Sequence, residues 1–150
     1  MLFYLVDDDP ASIDILRIII EDSDLGDVIG SAASGTEALE GLRHMRPDIV
    51  ITDLLMPDMD GIEFVRQARD RFPGVRFLML SQVTAKDMVA EAYHAGVDFF
   101  ITKPINSVEV VSVVRRAGRG LTRDRTLEPM RSLLGGGTAP ERPAARPAPP

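Results

Sequence analysis

Four short apolar runs each end on a side chain suited to phosphate or metal. Leu2–Val6 runs into Asp7 and Asp8, Ile49–Thr52 into Asp53, Phe77–Leu80 into Ser81, and Phe99–Thr102 into Lys103 and Pro104. In an open parallel α/β sheet, reactive groups gather at the carboxyl ends of the strands. Three carboxylates, a hydroxyl and an ammonium are therefore expected at one rim. Magnesium takes oxygen ligands and keeps several waters; Asp8 and Asp53 can supply two carboxylate oxygens, and Asp7 can hold a coordinated water. A carboxylate is also a nucleophile that forms aspartyl-phosphates, which gives Asp53 a second role. The metal would cancel repulsion between Asp53 and an incoming phosphoryl group. Lys103 offers a point charge to another phosphoryl oxygen, and Ser81 a hydroxyl to a third. Phosphoryl transfer needs little beyond such positioning and neutralisation.

The elements that must hold these groups alternate between apolar strands and amphipathic helices. Strands are expected at about 2–6, 28–32, 48–52, 76–80 and 98–102. Asp9 as N-cap and Pro10 at the first helical position start the first helix, with Ile13, Leu16, Ile19 and Ile20 on its apolar face. The second helix is expected from Thr36 to Met45. The third follows Gly61 with Ile62, Val65 and Ala68 turned inward. The fourth runs from Ala85 to Ala95 and stops at Gly96, a left-handed cap. The stretch after Lys103 is ambiguous locally, because Val108, Val110, Val111, Val113 and Val114 are β-branched and favour a strand. Asn106 is a good N-cap, and positions 108, 111 and 115 share a helical face. A parallel sheet also needs a last helix to cover it, so a helix is predicted. The expected class is α/β, a doubly wound five-stranded parallel sheet. Asp58 and Asp60 read as turn residues without chemistry, and His44 and His94 as surface residues without a ligand motif.

The ordered set Val6-Asp7-Asp8-Asp9-Pro10, Asp53 through Gly61, Leu80-Ser81 and Thr102-Lys103-Pro104 resembles the receiver domain of bacterial two-component response regulators, over about residues 1–118. The resemblance implies a (βα)5 flavodoxin-like receiver fold. It implies that Asp53 takes a phosphoryl group from a phosphohistidine on a sensor histidine kinase. It also implies Mg2+ held by Asp8, Asp53 and the backbone carbonyl of Leu55, and a cis peptide between Lys103 and Pro104, a bond type that proline permits. Ser81 and Phe100 match the switch pair, and the output surface would be helix 4, strand 5 and helix 5. Leu55 and Val83 match the positions that flank the path of an attacking water and so set the dephosphorylation rate. Such a domain is not an enzyme; it assists only its own phosphorylation and dephosphorylation. Ile101 through Asn106 and the Val-rich segment after them also resemble glutamine-responsive transcriptional regulators, in which a receiver precedes a DNA-binding output region. No such region is expected within these 150 residues.

Composition narrows the field further. Residues 1–120 carry twelve basic and twenty acidic side chains, a net of −8, while 121–150 carry five arginines against three acids. An acidic domain of this kind does not bind nucleic acid by bulk electrostatics. There are no cysteines, which excludes disulfides and thiolate metal sites and fits the cytoplasm. No apolar run is long enough to span a bilayer. One domain is expected over 1–120. Residues 121–150, rich in Pro, Gly, Ala and Arg, are expected to be a largely disordered linker or tail. The resemblance implies a sensor histidine kinase as partner, and a second copy of the chain on activation is a further expectation.

Two other readings stay open at the level of sequence. A stand-alone receiver would signal by protein contact alone. A haloacid-dehalogenase-like phosphatase would also place Asp-x-Asp at a strand end, then a Ser and a Lys, as Asp7–Asp9, Ser81 and Lys103 do. That chemistry needs a further acidic pair after the lysine. Only Glu109, Asp124, Glu128 and Glu141 follow, none paired at a strand end, and Asp53 would have no role.

Overall fold

The computed structural model describes residues 1–82 and 86–119. Strands β1 (Leu2–Val6), β2 (Asp27–Ala32), β3 (Ile49–Asp53), β4 (Arg76–Ser81) and β5 (Phe99–Thr102) pair in parallel in the order β2-β1-β3-β4-β5. Between them lie α1 (Pro10–Asp22), α2 (Gly35–Leu42), α3 (Gly61–Arg71) and α4 (Lys86–Ala95), and a further helix, α5, occupies 107–119. Val83 and residues 121–150, on which the sequence carries expectations, lie outside the described residues. No helix among the described residues is long and apolar enough to cross a membrane.

Helices cover both faces of the sheet, which is why the inner strands read as nearly unbroken apolar runs. On one face, Leu16 and Ile20 of α1 pack with Val110, Val113, Val114 and Ala117 of α5 against Phe3, Leu5, Ile51 and Leu78. On the other, Leu42, Phe64, Val65 and Ala92 from α2, α3 and α4 pack against Tyr4, Val50, Phe77 and Met79. The Phe64 and Phe77 rings meet edge to face with centroids 6.1 Å apart, a geometry worth about 0.5–1.5 kcal/mol beyond the area it buries.

α5 is helical despite its valines. The sheet beneath it buries positions 110, 113, 114 and 117, an i, i+3, i+4, i+7 stripe, and that burial outweighs the local strand preference. The buried stripe is not the 108–111–115 face: Val108 is 78% exposed, and Arg115 is exposed as well. α2 ends at Leu42, short of Met45. The N–H groups of Arg43 and His44 bond back three residues, to the carbonyls of Glu40 and Gly41, and Pro47 disfavours helical backbone at Arg46. Gly96 follows α4 at φ +123°, a conformation that costs glycine no steric penalty.

The topology creates the site. The chain adds β2 on one side of β1 and then crosses to β3 on the other, so α1 and α3 leave these adjacent strands toward opposite faces. A crevice opens at their carboxyl ends. Val6 lies opposite Thr52, Asp53 opposite Leu80, and Ser81 opposite Thr102, which brings all four strand ends to one rim.

Candidate phosphoryl and metal site

The turn after β1 decides which carboxylate faces inward. The Asp9 N–H donates to Asp7 Oδ1 at 2.9 Å, and the Ala11 N–H to Asp9 Oδ1 at 3.0 Å. Asp9 is thereby the N-cap of α1 with Pro10 behind it, a cap whose loss typically costs about 1 kcal/mol. Asp7 turns in and is 3% exposed; Asp8 stays in solvent; Asp53, the last residue of β3, is 7% exposed. One carboxylate oxygen from each of Asp7, Asp8 and Asp53 lies within 4.8 Å of the other two.

Lys103 arrives from the neighbouring rim. Its Nζ stands 2.9 Å from Asp53 Oδ1 and 3.8 Å from Asp7 Oδ2. Its backbone N–H donates to the Ser81 carbonyl at 3.2 Å, and the Lys103–Pro104 peptide is cis. Burial opposes the charge on Lys103, but the hydrogen bond to Asp53 and the charges of Asp53, Asp7 and Asp9 outweigh it, so its pKa is raised. Burial also pushes the Asp7 carboxyl up; the hydrogen bond from Asp9 pulls against this, and the charge of Asp53 adds to the rise. Asp7 Oδ2 is buried and accepts no hydrogen bond among the described residues.

One ammonium cannot balance three carboxylates. The surplus negative charge, the buried Asp7 oxygen without a hydrogen bond and the all-oxygen donor set together fit a small hard dication such as Mg2+. Ser81 closes β4 at 4% exposure. Phe100 is half-buried on β5, its ring edge-on to Tyr93 of α4 with centroids 5.3 Å apart. Leu55 sits two residues past Asp53, and its side chain is 68% exposed. His44 and His94 are exposed and away from the cluster.

Three further residues hold the site through side-chain contacts. Asp60 caps α3, its Oδ1 accepting the Glu63 N–H at 2.8 Å. Asp58 accepts the N–H groups of Gly35 and Thr36 at 3.2 and 2.8 Å, pinning the Leu55 loop to the start of α2. The hydroxyl and N–H of Thr36 hold the Asp58 carboxyl far below the usual carboxylate range. No local signal reveals that contact, since the partners are 22 and 23 residues away. Glu109 turns back to Thr102; its place three residues after Asn106 was the available signal, that of a capping box. Gly61 is required by close approach, because a Cβ there would collide with the Asp53 carbonyl.

Comparisons with known proteins give the family and the fold. A family model described as the response regulator receiver domain matches residues 3–115. The transcriptional regulatory protein GlnL of Bacillus subtilis (strain 168) is 48% identical over 118 residues, which are 77% of this chain and 37% of that protein. The response regulator protein VraR of Staphylococcus aureus is 34% identical over 119 residues, 79% of this chain and 56% of that one. The solved structure of the chemotaxis protein CheY4 of Vibrio cholerae matches with a TM-score of 0.72 at 28% identity, covering 77% of this chain and 97% of that one. The chain thus spans less than two thirds of the length of either curated relative.

Proposed function

The chain belongs to the response regulator receiver domain family, and from that premise we propose that it accepts a phosphoryl group on Asp53 from a sensor histidine kinase. The observation that carries this is the Lys103 ammonium 2.9 Å from an Asp53 carboxylate that shares its pocket with Asp7 and Asp8. An Asp53 oxygen attacks the phosphorus of the phosphohistidine. The new O–P bond forms as the N–P bond breaks, and the imidazole nitrogen leaves with the electron pair. Asp8, Asp53 and the Leu55 carbonyl would hold Mg2+, with Asp7 on one of its waters. That ion supplies neutralisation of charge between carboxylate and phosphoryl group. Lys103 shifts from Asp53 to a phosphoryl oxygen, and the Ser81 hydroxyl donates to another. Phe100 turns inward behind Ser81; its ring carries no hydroxyl, so the move buries no unpaired polar group. The domain speeds only its own gain and loss of phosphate.

The output is read from α4, β5 and α5. The identity to GlnL, a transcriptional regulatory protein, supports control of transcription through a further region. The net charge of −8 over residues 1–120 argues that this part makes no direct contact with nucleic acid, and the proposed location is the cytoplasm. Residues 121–150 then serve as the linker. The test is incubation with acetyl phosphate. One phosphoryl group should be gained in magnesium and none in EDTA, as read by intact mass; gain that ignores magnesium would sink the proposal.

The phosphate should be long-lived. Neither Leu55 nor Val83 carries a group that can hydrogen-bond an attacking water, and bulky apolar residues at these two positions would shield the line of attack. A Leu55→Asn, Val83→Glu double variant should lose phosphate severalfold faster than wild type in magnesium buffer at neutral pH. Equal decay would remove the shielding argument.

Activation should also strengthen self-association. Val108 on α5 is 78% exposed and stands one turn from the partly buried Val111, an apolar pair on the α5 surface that a second copy of the chain would cover. Sedimentation with and without beryllofluoride, which stands in for a phosphoryl group, measures this. An unchanged mass up to about millimolar concentration would leave the output face without a self-partner.

A further inference from the structure

Asn106-Ser107-Val108-Glu109 has the spacing of a capping box, in which the acid at the third helical position reaches back to the N–H of the cap residue. Half of that box forms: the Glu109 N–H donates to Asn106 Oδ1 at 3.0 Å. The Glu109 carboxylate goes elsewhere. Its oxygens accept the Thr102 N–H at 3.2 and 3.3 Å, and Oε1 accepts the Thr102 Oγ1–H at 2.8 Å. Thr102 is the last residue of β5, an edge strand of the sheet. An edge-strand N–H turned away from its neighbour has no further strand to bond; here the Glu109 carboxylate takes it.

The next residue is Lys103. Its N–H bonds the Ser81 carbonyl and its Nζ bonds Asp53. A carboxylate on the first turn of α5 therefore fixes Thr102, the residue directly before the one from which both contacts depart. Hydrogen bonds to an ionised acceptor are among the stronger ones, and one carboxylate here takes two donors from a single residue.

We propose that Glu109 is a positioning residue for phosphoryl binding: it clamps the end of β5 so that Lys103 meets the phosphoryl group on Asp53, and it links the first turn of α5 to that event. This rests on Asp53 being the phosphoacceptor. Lys103 touches phosphate and not metal, so loss of the clamp should separate two affinities that a general loss of structure would not.

The test compares wild type with Glu109→Ala, Glu109→Gln and Thr102→Val in the full chain. Magnesium affinity is measured alone, beryllofluoride affinity at saturating magnesium, and thermal unfolding for each protein. Glu109→Ala should weaken beryllofluoride binding about fivefold while magnesium affinity stays within about twofold. Glu109→Gln keeps an acceptor oxygen and should recover part of the loss. Thr102→Val keeps the N–H and should lose less than Glu109→Ala. Unchanged beryllofluoride affinity in Glu109→Ala overturns the proposal, as does an equal fall in both affinities. If Glu109→Ala does not fold, the other two variants decide, and wild-type beryllofluoride affinity in both overturns it. A wild type that ignores beryllofluoride overturns the phosphoacceptor assignment itself, whereas a responsive wild type with an equally responsive Glu109→Ala overturns only the clamp.

Discussion

Replacing Asp53 by alanine should abolish the response to beryllofluoride with magnesium. The side chain is at once the proposed nucleophile, a proposed metal ligand and the partner of Lys103 at 2.9 Å. The neighbouring carboxylates are placed for other roles: Asp9 caps α1, Asp7 Oδ1 accepts the Asp9 N–H, and Asp8 lies out in solvent. Amide spectra recorded with and without the mimic provide the check, and an equal response in Asp53→Ala would end the assignment. Lys103→Ala should separate the two steps. A cation beside Asp53 and Asp7 repels a metal, so its removal should retain magnesium binding and tighten it. The conformational response should be lost, because nothing then reaches the second phosphoryl oxygen. A full response in Lys103→Ala would show that the ammonium has no part in the switch.

In metal-free buffer at neutral pH, Asp7→Asn should stabilise the fold by about 1–2 kcal/mol. Asp7 is 3% exposed, its Oδ2 accepts no hydrogen bond among the described residues, and burial followed by the charge of Asp53 raises its pKa. The sign follows from linkage. A carboxyl whose pKa is higher folded than unfolded binds protons more readily in the native state. Wild-type stability therefore falls as pH rises from the ordinary carboxylate range through the raised value. Asparagine does not titrate. Its advantage should be full above the raised pKa and vanish as pH drops to the ordinary carboxylate range. Urea unfolding of both proteins in EDTA, at neutral and acid pH, measures this. A less stable Asp7→Asn at neutral pH would mean that attraction to Lys103 at 3.8 Å outweighs desolvation. Magnesium binding should weaken in the same variant, so a stability gain would be accompanied by a loss of the proposed function.

The sequence determined where the strands end and which chemistry stands there. Apolar runs closing on Asp7, Asp8, Asp53, Ser81 and Lys103 are a local signal, and in a parallel sheet strand ends share a rim. The Asp9-Pro10 start of α1 was legible for the same reason, since a cap and its helix are neighbours in the chain. Tertiary structure decided what neighbours in sequence could not. Asp7 and Asp8 are adjacent carboxylates of one type, yet one is buried and the other exposed, because a single N–H from Asp9 sets the turn. The valines of α5 favour a strand by themselves; burial of positions 110, 113, 114 and 117 makes them a helix and leaves Val108 outside. Asp58 reads as a turn residue until its carboxylate is seen capping a helix more than twenty residues upstream. Glu109 reads as half of a local cap until the edge of the sheet presents a stronger set of donors. In each case the side chain had several partners within its chemical reach, and only packing settled which of them came within hydrogen-bond distance.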